Sequence, residues 1–200
     1  DGASDFILAR DFMALYQGKQ PPPLKFHYKE YSHWQAGLTQ TGQMEKQEKY
    51  CMETFAGEIP VLAIPRDYEH SAGQGFQGSE IYLELDQKTT AQLDQLAKRE
   101  QTTLFMLLLA GYNVLLAKLS GQGDIVVGTG VAGRRHVDFQ EIIGMFFNTL
   151  ALRNYPAEKK TFKDFLREVK ERTLQAFDNQ DYLFEELVKK VGDKSNPGRN

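Results

Sequence analysis

Ile143-Gly144-Met145-Phe146-Phe147-Asn148-Thr149-Leu150-Ala151-Leu152-Arg153 is the stretch from which the fold of this chain can be worked out. Its apolar segment, Met145 to Leu152, has the length and composition of a buried strand. Upstream, Asp124-Ile125-Val126-Val127-Gly128-Thr129 reads as a second buried strand, set off by the break at Gly121 to Gly123. Before that break, Thr102 or Thr103 starts a helix through Leu119. It is apolar nearly all round and is expected at the centre of the core. Asp86 caps a helix through Arg99 with Leu93, Leu96 and Ala97 on one face. Ile81, Leu83 and Leu85 alternate with polar residues, which predicts a half-buried strand.

Downstream, Thr161 caps a long amphipathic helix bearing Phe162, Phe165, Leu166, Val169, Leu174 and Phe177, and Phe184 to Val191 forms a last short helix. Towards the start, Phe6, Ile7, Ala9, Phe12, Met13 and Tyr16 keep a helical period that Gly18 ends. Pro21-Pro22-Pro23 forbids helix and favours an extended linker. Tyr28, Tyr31 and Trp34 form one aromatic stripe on a helix that the polar stretch Thr39 to Lys49 would continue towards Phe55. Gly57 to Gly78 is rich in Gly and Pro and has no steady period, so it is expected to be a long connection between two lobes. The pattern as a whole is α/β or α+β, without an internal repeat.

Bulk properties narrow the function. The 200 residues carry a net charge of −3, which gives no electrostatic footprint for nucleic acid. The most apolar stretch, Leu104 to Leu109, falls far short of the roughly 20 residues of a membrane span. No secretory signal opens the chain. The single cysteine, Cys51, rules out an internal disulfide and is expected to be an inert, partly buried thiol. Together these point to a cytoplasmic protein.

Few residues declare chemistry by themselves. Gly128-Thr129-Gly130-Val131-Ala132-Gly133 matches a dinucleotide fingerprint by letter. However, Arg134-Arg135-His136-Val137-Asp138 is a polar loop rather than a helix start, and the expected acidic position falls at Arg153. The three glycines are therefore expected to mark a bend where chain packs close to chain or to a ligand. Arg134-Arg135-His136 either clasps a phosphate or carboxylate or is a solvated loop. His27, His33, His70 and His136 are scattered, which argues against a metal site. Asp181 and Glu185 stand at helical spacing, and capping by Asp181 is favoured over paired acid–base work.

Three motifs go further. Tyr28-Lys29-Glu30-Tyr31-Ser32-His33-Trp34 resembles Y-x-D-Y-A-x-W. Ile143 to Arg153 is similar to I-G-x-F-V-N-T-L-x-x-R, with Phe147 in place of valine. Asn179-Gln180-Asp181-Tyr182-Leu183-Phe184-Glu185 is similar to H/N-Q-D-Y-P-F-E, with Leu183 in place of proline. Their order and separations resemble those of the condensation domains of nonribosomal peptide synthetases. Asp1-Gly2 resembles the end of that family's H-H-x-x-x-D-G signature, and Ser195 to Asn200 resembles the start of its last motif. The chain would then be a fragment.

The resemblance implies a chloramphenicol-acetyltransferase-like fold of two lobes, each a mixed sheet flanked by helices. Residues 1–55 would end the N-terminal lobe, 56–78 would connect, and 79–200 would supply most of the C-terminal lobe, the rest of the first lobe being absent. The implied reaction is peptide-bond formation between thioesters on phosphopantetheine arms, with no metal, nucleotide or directly bound cofactor. The implied partners are upstream and downstream peptidyl carrier proteins and the adenylation domain of the same synthetase, with no membrane and no nucleic acid. The family's catalytic histidine would precede Asp1, so the fragment alone is expected to be inactive. Asp1 would orient the histidine loop through an arginine, with Arg153 favoured, and Gly2 would permit a tight turn. Asn148 and Thr149 would line the substrate tunnel, with Gln180 and Asp181 near it. The alternatives are a lobe that only docks carrier proteins, or an epimerisation-type sibling. The Phe-Asn-Thr-Leu run favours condensation over that sibling.

Overall fold

The structure, a computed structural model, describes residues 1–38, 42–67, 78–156 and 159–192. In chain order it contains α1 (Gly2–Tyr16), α2 (Tyr28–Leu38), α3 (Gly42–Thr54), α4 (Gln87–Arg99), α5 (Leu104–Ser120), β1 (Ile125–Val131), a 3-10 turn at Val137–Phe139, β2 (Asn148–Asn154), α6 (Phe162–Asp178) and α7 (Phe184–Gly192). The class is α+β, as expected, and the sheet among the described residues has two strands. The capping residues act as the sequence predicts. Asp86 accepts from the Thr89 amide, Thr103 from that of Met106 and Thr161 from that of Asp164. Gly121 closes α5 at φ +70°, and Gly18 takes φ +73° just beyond α1. The single helix expected from Tyr28 towards Phe55 is present as α2 and α3, and residues 39–41 lie outside the described residues. Residues 57–67 carry no helix or strand.

The chain divides into two compact units. The first comprises Asp1–Glu58, Gly128–Ala151 and Ala176–Asn200, and within it α3 packs on α7. The second comprises Ile59–Val127 and Leu152–Gln175, and within it α4 packs on α5.

The strand pairing explains the glycines. A Cβ on Gly123 would lie 3.6 Å from the Pro156 carbonyl, and one on Gly128 would lie 3.6 Å from the Thr149 methyl. A Cβ on Gly130 would collide with the Phe147 ring. Partner numbers fall as β1 advances, so the pair is antiparallel. Gly133 turns the chain at φ +67°, where a Cβ would overlap the Phe146 carbonyl. The expected bend with close chain-to-chain packing is therefore present, and no helix of more than three residues opens after Gly133 until α6.

Three expectations need correction. Ile81 to Leu85 is not a strand: no described strand bonds to it, and Ile81 and Leu83 are 88% and 90% exposed. Alternation encodes a strand's two faces but supplies no partner for its backbone. Helix α5 is buried on one face only, through Met106, Leu107, Leu109, Ala110, Asn113 and Leu116. Its other face, Phe105, Leu108, Tyr112, Leu115 and Leu119, is 41–50% exposed. An apolar circumference shows that both faces need cover, and the described residues cover one. Strand β2 begins at Asn148 rather than Met145 because the backbone before it is bonded to side chains. Gly144 N donates to Ser4 Oγ, Phe146 N to Asp1 Oδ2, and Met145 O accepts from the Tyr28 hydroxyl.

Met44, Gln47 and Cys51 form the buried stripe of α3. Burial, with a further push from Glu48, raises the Cys51 thiol from 9.0 to about 11. A raised thiol pKa means less thiolate at every pH below it. At pH 8 Cys51 is expected to react with iodoacetamide about 100-fold more slowly than the same thiol in the urea-unfolded protein. A native rate within about fivefold of the unfolded one would show an open thiol.

Candidate active site

The first centre is built on Asp1, the N-cap of α1. Its Oδ1 accepts from Ser4 N at 2.9 Å and lies 3.1 Å from Arg134 Nη2, and its Oδ2 accepts from Phe146 N at 3.0 Å. The Arg134 guanidinium also donates through Nη1 to the carbonyls of Phe139 and Ile142, each at 2.7 Å, and through Nη2 to Ser4 Oγ at 3.0 Å. It lies over the Phe146 ring at 4.1 Å. The Asp1 and Arg134 side chains are 8% and 6% exposed, so the pair is desolvated.

The expected pairing of Asp1 with Arg153 is thus wrong. Arg153 forks onto Asp124, with Nη2 at 2.6 Å and Nε at 3.0 Å, in the other unit. The left-handed turn at Gly133 is what delivers Arg134 to Asp1. Gly2 starts α1, and a Cβ there would meet nothing within 4 Å, so the chain shows no steric demand for glycine.

The second centre is a cleft of about 250 Å3 in the first unit. Tyr31, Trp34 and Phe139 line it with aromatic surface, and Arg135, His136 and Asp181 supply charge and hydrogen bonds. The rings pack on one another: Tyr31 meets Phe146 at 4.3 Å and Phe139 at 5.1 Å between centroids. His136 is held at one nitrogen, since Nδ1 accepts from the Asp138 amide at 3.3 Å.

Asn148 is buried and every capacity of its carboxamide is used. Nδ2 donates to the carbonyls of Gln180 and Tyr182 at 2.9 and 3.0 Å, and Oδ1 accepts from the amides of Thr149 and Phe184 at 2.9 and 3.2 Å. Gln47 grips the same loop through a second carboxamide. Its Oε1 accepts from the amides of Asp181 and Tyr182, each at 3.0 Å, and its Nε2 donates to Asp181 Oδ2 at 3.0 Å. Arg135 Nη1 donates to the same Oδ2 at 2.9 Å.

The structure therefore brings Asn148, Gln180 and Asp181 together at the cleft. Thr149 does not line it and lies beside Cys51 and Phe55 at a smaller cavity. Asp181 does not cap α7, because the first amide of that helix bonds to Asn148. The arginine pair does clasp carboxylates, Arg134 holding Asp1 and Arg135 holding Asp181. Gln47 was missed by the sequence reading. Its signal was a lone polar residue on the stripe Met44, Gln47, Cys51, the spacing of a buried helix face. Among the described residues no group of three or more His, Cys, Asp or Glu could hold a metal ion. No single described helix is long and apolar enough to cross a membrane.

Comparison with known proteins adds the following. The family description "Condensation domain" matches residues 1–200. Bacitracin synthase 1 of Bacillus licheniformis is 46% identical over the whole chain, which spans 4% of that protein's length. Tyrocidine synthase 3 of Brevibacillus parabrevis is 48% identical, and the chain spans 3% of it. Among solved structures, the first condensation domain of the calcium-dependent antibiotic synthetase aligns with 96% of this chain and 43% of its own. Its TM-score is 0.78 at 21% identity. The X-domain from teicoplanin biosynthesis aligns with all of this chain and 47% of its own, with a TM-score of 0.88 at 22% identity.

Proposed function

Since the chain belongs to the condensation-domain family, we propose that the polypeptide carrying it joins aminoacyl groups tethered as phosphopantetheine thioesters to carrier proteins. The observation that carries this reading is the desolvated Asp1–Arg134 pair. Through Arg134 it ties two family-like motifs, at Asp1 and Gly144–Phe146, into one knot in the unit that holds the cleft. On this reading residues 1–55 end the first lobe, 56–78 connect and 79–200 belong to the second.

In the proposed reaction the amine nitrogen of the acceptor attacks the thioester carbonyl of the donor. The C–N bond forms and the C–S bond breaks. The donor's thiol leaves, taking up the proton lost by the amine. Tethering both reactants supplies much of the rate by proximity. The proton calls for a positioned base. His136 is not placed for that role: its Nδ1 is held by the Asp138 amide at 3.3 Å and lies 3.5 Å from the Asp138 carboxylate. The base is expected in the H-H-x-x-x-D-G signature to which Asp1 and Gly2 correspond. Asn148 holds the loop beside the cleft, and Gln180 and Asp181 form its wall. Peptidyl carrier proteins and an adenylation domain are the partners, and the pantetheine arm belongs to the carriers.

The test supplies donor and acceptor carriers loaded with amino acids and follows dipeptidyl thioester by mass spectrometry. The complete polypeptide is expected to form product, and residues 1–200 alone are expected to give none above the carrier-only background. No product from the complete polypeptide would overturn the assignment. Product from residues 1–200 would overturn the need for the upstream signature.

A further inference from the structure

We propose that Asp181 is the residue that receives the amine of the acceptor substrate in the cleft. The inference rests on the condensation reading and names the substrate group that this wall recognises. Two donors, Gln47 Nε2 at 3.0 Å and Arg135 Nη1 at 2.9 Å, converge on one carboxylate oxygen, Oδ2. The other oxygen, Oδ1, accepts from nothing among the described residues, and Asp181 lines the cleft with its side chain 23% exposed.

The effort spent on holding this carboxylate exceeds what a surface ion pair needs. Arg135 is 49% exposed, and an ion pair so open to water contributes little to the fold. Yet Gln47, 4% exposed, commits three hydrogen bonds of a buried carboxamide to the Asp181 amide, the Tyr182 amide and the Asp181 carboxylate. Asn148 fixes the carbonyls on either side, those of Gln180 and Tyr182. The carboxylate is thus preorganised from two elements, with its free oxygen left for a ligand.

The chemistry of the surroundings selects the ligand. A free carboxylate oxygen accepts N–H, and the α-amine of a tethered amino acid has a pKa of about 7.7–8.0, so near pH 7 it arrives mostly as ammonium. The aromatic faces of Tyr31 and Trp34 in the same cleft also favour a cation. Arg135, bonded to Oδ2, competes with the ligand for the charge of the carboxylate.

The test compares two non-hydrolysable probes on the complete polypeptide: glycine amide-linked to aminopantetheine, and the same compound N-acetylated. Calorimetric titration is expected to show the free amine binding about tenfold more tightly, the scale of one charge-assisted hydrogen bond. In Asp181→Asn that preference should fall below about twofold while the acetylated probe binds as before. In Arg135→Gln, which removes the competing cation, the preference should rise. A preference retained in Asp181→Asn, or absent from the unaltered protein, overturns the role of Asp181 and leaves the condensation reading standing. Failure of both probes to bind the unaltered protein overturns both. If Asp181→Asn binds neither probe, Arg135→Gln decides: a rise supports the proposal, and an unchanged or lowered preference overturns it.

Discussion

Arg134→Met is expected to cost the fold about 3–5 kcal/mol, because it strands a buried charge. Asp1 would keep the amides of Ser4 and Phe146 but lose its only described cation. The carbonyls of Phe139 and Ile142 would each lose a donor, and the Phe146 ring would lose the guanidinium above it. Arg134→Lys is not expected to rescue, since one ammonium cannot span Asp1, Ser4 and two carbonyls as a planar fork does. Adding Asp1→Asn to Arg134→Met should recover part of the loss by removing the unpaired charge. Urea unfolding of the complete polypeptide at pH 7.5 measures all four proteins. A loss below about 1 kcal/mol for Arg134→Met would show that the knot contributes no more than a surface pair.

Asn148→Asp should be nearly as severe at neutral pH, at about 3 kcal/mol or more. It would set a carboxylate oxygen where Nδ2 now lies, 2.9 and 3.0 Å from the carbonyl oxygens of Gln180 and Tyr182. Two carbonyls would lose their donor and face a negative charge instead. The new carboxyl would have its pKa raised in the folded state, so folding would take up a proton. Its destabilisation should therefore be greatest above the folded pKa and ease as pH falls towards about 4.5. Asn148→Ala, which adds no titrating group, should lose stability by a similar amount at both pH values. Unfolding of both variants at pH 7.5 and 4.5 separates the two behaviours. Equal losses for Asn148→Asp at the two pH values would count against the geometry given for its carboxamide.

Most helices could be read from the sequence because their signals are local. Asp86, Thr103 and Thr161 cap within three residues of themselves, and Gly18 and Gly121 stop helices by their own backbone. The glycines of β1 could be read as a bend for the same reason. What could not be read was every feature decided by a distant partner. Ile81 to Leu85 has a strand's alternation and no described strand beside it. The apolar girth of α5 could not say which face the chain would cover. At the site, the motif ending at Arg153 pointed to that residue as the partner of Asp1, whereas the turn at Gly133 delivers Arg134 instead. Asp181 looked like a helix cap because Glu185 and α7 follow it, whereas the cap comes from Asn148 on β2. Gln47 was hidden in a polar helix, and its place on the stripe with Met44 and Cys51 was the one available clue.

The two carboxamides that hold the 180–184 segment also fix when it can form. Gln47 and Asp181 are separated by 134 residues, and Asn148 and Tyr182 by 34. Bringing such remote positions together costs loop-closure entropy before any bond is gained. Contacts of high sequence separation belong to the slow part of folding. Residues 180–183 have no helix or strand to form early. On a ribosome, the helix carrying Gln47 would emerge and wait until its partner had been synthesised, so no nascent chain ending before Tyr182 could hold the cleft's wall. The site is in this sense a late product of folding, complete only once the two ends of the first unit have met.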